Sequence, residues 1–318
     1  MTMASAPGKV ILFGEHAVVS GTPAIGGAID LRARVTVQDM HGCLLIESGD
    51  LTLQGFTFDL ISGQVISAGA AIATRYISAV LKELEACNLR ITVQSDLLPA
   101  SGLGSSAAIV VATAAALNAH LDLCLSLKEI ASLSHKIEKS VQQGLGSPMD
   151  TALATFGGYL QVSGVVEALD LPPLDLAVGC TRRPHDTRSE VLKVQTLRKR
   201  YPELVEPIFQ AIGAISKRAV PLIREQRLEE VGELMNINHG LLEGLGVGTR
   251  DLGELVYAAR GSGGAMGAKI TGAGGGGCMI ALPGLNSEAA LIASLRQAGG
   301  AAFSVRTGCE GVRLEEGP

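Results

Sequence analysis

Apolar and polar positions follow two rhythms along the chain, and the rhythm changes at clusters of glycine and proline. In the first third the period is near two. "KVILFG" is a short buried run, and "RARVTVQ", "CLLIES", "LTLQGFTFDL" and "LRITVQSDL" alternate or are rich in β-branched residues, which predicts strands. A helix from about 69 to 87 interrupts them, and a second is predicted over 105–120. Ser126 and Glu129 have the spacing of a capping box. They open a helix with Ile130, Leu133, Ile137 and Val141 on one face, and Glu138 falls beside that face. Near Leu171-Pro172-Pro173 the texture shifts, which marks a boundary between an N-terminal unit, 1–170, and a C-terminal unit, 171–318. The second unit reads as the strand "LDLAVGC", then helices at 187–200, 203–218 and 221–235, with Pro221 in a first turn. A helix near 250–260, the strand "AKIT", the loop "GAGGGG", the strand "CMIALP", a helix near 287–298 capped by Ser287 and two last strands complete it. This order fits two α+β domains better than a regular βαβ array.

Composition sharpens the picture in two ways. Aromatics are only 3% and Trp is absent, so the core must be built from small aliphatic side chains. The net charge of −5 gives no general pull toward nucleic acid or acidic membranes. No apolar run reaches the roughly 20 residues that span a bilayer. The start "MTMASAPGKVILFGEH" lacks the long apolar segment of a signal peptide. The six cysteines form no C-x-x-C pair, and reduced, buried thiols in a cytoplasmic protein are expected.

Four stretches carry candidate chemistry. "PASGLGSSAA", 99–108, joins two glycines and three serines to the start of a predicted helix. A helix N-terminus leaves about four N–H groups unpaired, and its dipole favours an anion, so this stretch can cradle a polyphosphate. A flexible turn with a serine cap accounts for the same residues. The P-loop pattern occurs nowhere. "GLGSSA" fits the loose dinucleotide pattern, but the acidic residue expected about 20 positions on is missing, Asp122 falling in a helix-to-loop stretch. "APGKVILFGEHAVVSG", 6–21, sets Lys9, Glu15 and His16 at the two ends of a buried run, where ordinary surface residues also occur. "HKIEKSVQQGLGSPMD", 135–150, offers the carboxylates Glu138 and Asp150, which solvated helix charge and a helix cap would equally explain. "KITGAGGGGCMIAL", 269–282, spends four consecutive glycines between strands, as a close approach to the backbone or a flexible hairpin requires.

Together these stretches resemble the signature motifs of the GHMP kinase family. "PASGLGSSAA" is similar to the family's ATP loop and "TGAGGGG" to its C-terminal glycine motif. "APGKVILFGEHAVV", "GVGTRDLGEL" and "KITGAGGGGC" are similar to the members acting on mevalonate. The resemblance implies a two-domain fold, the first domain like domain 2 of ribosomal protein S5 and the second ferredoxin-like. It implies ATP and Mg²⁺ as cofactors, with mevalonate phosphorylated on its 5-hydroxyl. Phosphomevalonate, homoserine or a sugar as acceptor, or a non-catalytic binding protein on this fold, are the alternatives. By motif position, Asp150 is the catalytic Asp that accepts or orients the acceptor hydroxyl proton, and Lys9 is its partner. Ser106 and Glu138 are the Mg²⁺ ligands. Pro99, Ser101, Gly102, Leu103, Gly104, Ser105, Ser106 and Ala107 hold the nucleotide. Glu15, His16, Arg182, Thr187 and Gly274, with Asp150, face the acceptor. A homodimer is a further expectation. Two departures stand out: Ser20 replaces the Tyr or His common in the family, and the loop from Glu138 to Asp150 is about one residue longer than in similar archaeal-type enzymes.

Overall fold

The computed structural model describes residues 1–40, 45–48, 57–59, 64–65, 71–99, 101–142, 144, 146–181 and 187–316. Strands β1 (Thr2–Phe13), β2 (Ala24–Asp39), β3 (Leu45–Ser48), β4 (Thr57–Asp59) and β5 (Gln64–Val65) lead to helix α1 (Ala71–Glu83) and strand β6 (Leu89–Ser95). Helices α2 (Ser105–His120), α3 (Leu127–Val141) and α4 (Pro148–Phe156) follow, then strands β7 (Tyr159–Val162) and β8 (Val166–Leu169). The described strands form a sheet in the order β13-β1-β2-β6-β3-β4-β5, with β7 also on β2 and β8 on β7. Its final member, β13 (Arg313–Glu315), arrives from the far end of the chain to pair antiparallel with β1. Only β3 and β6 pair in parallel among these strands.

Helix α2 is the centre of this layer. Residues Ala107 through Leu117 are all buried, and the helix packs on β1 and β2 on one side and on α1, α3 and α4 on the other. An alanine-rich run suits this place: it has high helix propensity and lets neighbours approach closely. The capping box is present, with Ser126 Oγ accepting from the Glu129 amide and the Glu129 carboxylate accepting from the Ser126 amide.

Segment 170–174 carries the chain to a second, all-antiparallel sheet, β10-β11-β9-β12. Its strands are β9 (Asp175–Cys180), β10 (Ala265–Ile270), β11 (Cys278–Pro283) and β12 (Ala301–Arg306). Helices α5 (Thr187–Arg200), α6 (Pro202–Arg224), α7 (Leu228–Gly244), α8 (Arg250–Gly261) and α9 (Glu288–Gln297) surround it. Two expectations are corrected here. Helices 203–218 and 221–235 are not separate units broken before Pro221. A single helix, α6, runs through both Pro207 and Pro221, and α7 starts only at Leu228. Its apolar face, from Val205 through Phe209, Ile212 and Ala219 to Ile223, is buried without a gap. That burial outweighs the hydrogen bond Pro221 removes within one turn of the helix end.

The cysteines are also corrected. Cys180 on β9 and Cys278 on β11 face each other in the ladder and are joined as a disulfide, 98 positions apart in sequence. Sheet topology makes them neighbours, which no spacing rule reveals. Cys87 and Cys124 are exposed rather than buried, and Cys309 is half-buried. Among the described residues no helix is long and apolar enough to cross a membrane.

Candidate active site

The ATP-loop stretch and the first strand are built onto each other. Strand β1 has an irregularity between Pro7 and Lys9, the kind of place where a strand accepts proline. Gly8 sits there because a Cβ would lie 2.8 Å from the Leu103 carbonyl oxygen. The next amide, that of Lys9, donates to that same carbonyl at 2.8 Å. Leu103 buries its side chain completely, so the loop is anchored by one apolar plug and one backbone bond. Ser101 is buried, and its hydroxyl donates to the Leu98 carbonyl at 2.7 Å. Pro99 is exposed at the loop entrance.

Helix α2 begins at Gly104, whose φ of 77° is left-handed backbone suited to glycine. No side chain caps this end, and no acidic residue stands in the first turn. The amides of Ser105, Ser106 and Ala107 therefore open a buried helix dipole with no built-in anion to satisfy it.

Two polar pairs stand beside this start. Lys9 Nζ lies 3.3 Å from Asp150 Oδ2. Asp150 is in the first turn of α4, where the helix dipole favours the carboxylate, and Pro148 occupies the turn ahead of it. Ser106 Oγ donates to Glu138 Oε1 at 3.1 Å. Helix α3 presents Glu138 on its buried side, at 1% exposure, rather than beside it. Gln142, one turn on, donates to the same Oε1 at 3.2 Å and to the Tyr76 hydroxyl at 3.2 Å. Glu138 Oε2 is buried without a hydrogen-bond partner. Burial, and secondarily the Asp150 carboxylate, push the Glu138 carboxyl up to about 8. An orphaned, buried carboxylate oxygen beside a hydroxyl and a second carboxylate suits a hard divalent cation, which would restore the charge that burial disfavours.

Just beyond β1, Gly14 and Glu15 lead to His16, at φ 60° and ψ −41°. The His16 Nε2–H donates to the Ala273 carbonyl at 2.9 Å, within the glycine loop. Burial lowers the His16 pKa, which keeps the ring neutral. Glu15 is 2% exposed and is held by Lys269 and by Asn238, whose Nδ2 donates to Oε2 at 3.2 Å. Gly274 packs on Val247, and the Gly275 amide donates to the Val247 carbonyl at 2.9 Å. Thr187 opens α5 at an exposed position, while Arg182 lies outside the described residues. The structure thus brings Lys9, Asp150, Ser106 and Glu138 into one cluster, and joins His16 to the glycine loop in another. Sequence reading missed Gln142, Tyr76 and Lys269. Lys269 alone had a local signal, a cation inside the apolar strand "AMGAKI".

Comparison with known proteins gives the family. The family model for the GHMP kinases N terminal domain matches residues 71–158, and that for the GHMP kinases C terminal matches residues 219–302. The chain belongs to the GHMP kinases, two-domain enzymes of the kinase class. Curated relatives within that family that align nearly end to end include mevalonate kinases. That of Pyrococcus horikoshii is 44% identical over 99% of this chain and 98% of its own. That of Saccharolobus solfataricus is 39% identical over 92% and 93%. Among solved structures, the L. major mevalonate kinase in complex with R-mevalonate superposes with a TM-score of 0.83 at 25% identity, covering 96% of both chains. The Methanococcus jannaschii mevalonate kinase gives 0.80 at 27% identity, covering 96% and 98%.

Proposed function

We propose that this chain transfers the γ-phosphoryl group of ATP to the 5-hydroxyl of (R)-mevalonate, giving 5-phosphomevalonate on the route to isoprenoids. The reading is carried by the Lys9–Asp150 pair, 3.3 Å apart beside the uncapped start of α2, in a chain that aligns end to end with the Pyrococcus horikoshii enzyme. The amides at Gly104, Ser105, Ser106 and Ala107, with the loop from Pro99, Ser101, Gly102 and Leu103, hold the phosphates. Asp150 accepts the proton of the attacking hydroxyl. Lys9 keeps Asp150 ionised and stabilises negative charge on the attacking oxygen. His16, Thr187, Arg182 and Gly274 line the acceptor side, with the Glu15 turn supporting them.

Ser106 and Glu138 are the residues that would hold Mg²⁺. Once bound, the ion supplies neutralisation of phosphate charge, and both donors are the hard oxygens it prefers. With few covalent tasks for the protein, positioning and electrostatics supply most of the acceleration. A cytoplasmic location is part of this reading.

The test is a panel of acceptors offered to the purified protein with ATP and Mg²⁺, with ADP release followed and products identified by ³¹P NMR. Mevalonate is expected to be turned over with the highest kcat/KM and to yield a phosphomonoester at the primary carbon. Preference for phosphomevalonate, homoserine or galactose would overturn the substrate assignment.

A further inference from the structure

Lys269 is fully buried on β10, yet it is charged chemistry in an apolar strand. Its ammonium contacts Glu15 Oε1 and donates to the Ile270 carbonyl at 2.6 Å. The other Glu15 oxygen accepts from Asn238. This ion pair joins the second sheet to the end of β1, and it is one of three such links. Thr271 Oγ1 accepts from the Ile11 amide and donates to the Ile11 carbonyl, both at 3.0 Å. Ala273 offers its carbonyl to His16. Residues 269, 271 and 273 lie within five positions, at the end of β10 and in the turn that follows it, where Gly272 has φ 84°, and they reach residues 15, 11 and 16.

What they hold is strained. The Ala17 amide donates to the Glu15 carbonyl at 2.6 Å around His16 at φ 60°, a γ-turn of the positive-φ kind. A non-glycine residue persists there only when its surroundings over-determine it, and such places cluster at functional sites. A buried ion pair is also a weak source of stability, and its best use is to fix one arrangement. Glu15, with each oxygen engaged from within the protein and 2% exposure, has no face left for a ligand.

We propose that Lys269 is a positioning residue for phosphoryl transfer: through Glu15 it holds the 15–16 turn across the domain boundary, so that His16 rather than Glu15 meets the acceptor. This rests on the acceptor site proposed above.

The test uses the full-length enzyme with three variants: Lys269→Met, Glu15→Gln, and both together. Thermal melts, KM for ATP and for the acceptor, and the ¹⁵N signals of the His16 ring are measured. Lys269→Met should lower the melting temperature and raise acceptor KM about tenfold or more with ATP KM unchanged. The double variant carries no unpaired buried charge and should melt near wild type, yet keep the raised acceptor KM and shifted His16 signals, because methionine cannot donate. Glu15→Gln keeps a carbonyl oxygen for the Lys269 ammonium but removes the ion pair, so it should raise acceptor KM and shift the His16 signals less than Lys269→Met does. Recovery of both stability and acceptor KM in the double variant would make the pair purely structural and overturn the proposal. So would a wild-type His16 spectrum in Lys269→Met, or an acceptor KM in Glu15→Gln raised more than in Lys269→Met. Wild-type turnover of mevalonate tests the substrate reading separately, and the variant ratios are taken with whichever alcohol the wild type phosphorylates. The His16 signals need no acceptor.

Discussion

Replacing Glu138 by glutamine should stabilise the protein while abolishing its chemistry. The Glu138 carboxyl is raised from 4.5 to about 8 in the folded chain, first by burial and then by Asp150. Between those values the unfolded chain releases the proton and the folded chain keeps it. The folded state binds more protons, so stability falls as pH rises from about 4.5 to 8 and levels off above. At about 1.4 kcal/mol per pH unit, Glu138 costs on the order of 3 kcal/mol at pH 7. Glutamine keeps the acceptor for Ser106 and Gln142 but never ionises. Thermal melts of wild type and Glu138→Gln in EDTA, from pH 5 to 8.5, should therefore diverge with pH. The variant should lead by roughly 4–5 °C at pH 7, given about 1.5 °C per kcal/mol for a chain of this size. Titrating groups away from Glu138 are common to both proteins and cancel. Adding Mg²⁺ and ADP should raise the wild type more than the variant, because only the wild type offers the ion a carboxylate. A gap that stays constant across pH, or a variant that melts below wild type at pH 8, would refute the reasoning.

Asp150→Asn should cut kcat by about a thousandfold or more while ATP affinity, read by calorimetry, stays near wild type; a variant within about tenfold of wild type would remove Asp150 from the chemistry. Gly104→Ala puts a Cβ 2.8 Å from Lys9 Cγ at a φ of 77°, so ATP binding should weaken and the melting temperature fall by several degrees, measured by nucleotide titration and by melts. Arg32 donates to the carbonyls of Ser5, Glu310 and Gly311 at 3.0, 2.9 and 2.6 Å and to the Ser5 hydroxyl at 2.7 Å. Arg32→Met should cost about 2–4 kcal/mol and speed amide exchange in 310–315 ahead of the rest of the first sheet.

What was legible in the sequence was what local chemistry decides. The capping box at Ser126, the alanine run of α2 and the glycine loop before Cys278 are written in neighbouring residues, and the structure has a helix or turn at each. Pro221 misled because a local breaker signal competes with a buried face more than five turns long, and the face extends beyond any short window. The Cys180–Cys278 bond and the Lys269–Glu15 contact were invisible for another reason. Each joins positions that only the strand order of the two sheets brings together, 98 and 254 apart in sequence. The site divides the same way. Lys9, Ser106, Glu138 and Asp150 sit in local motifs that are ambiguous one at a time and gain roles only from the resemblance of all of them together, whereas Gln142 and Tyr76 matter only through the carboxylate they flank.

The strand Arg313–Glu315 has a consequence for how the molecule is made. It lies against β1, and Ser5 bonds to Glu315 across 310 positions of chain. While a ribosome is still elongating the nascent polypeptide, that border of the first sheet has no partner, and its amides and carbonyls are open to any passing strand. At 5–20 residues per second the interval lasts on the order of half a minute. Chaperone capture during translation is therefore expected to concentrate on β1, and to end when the last strand emerges.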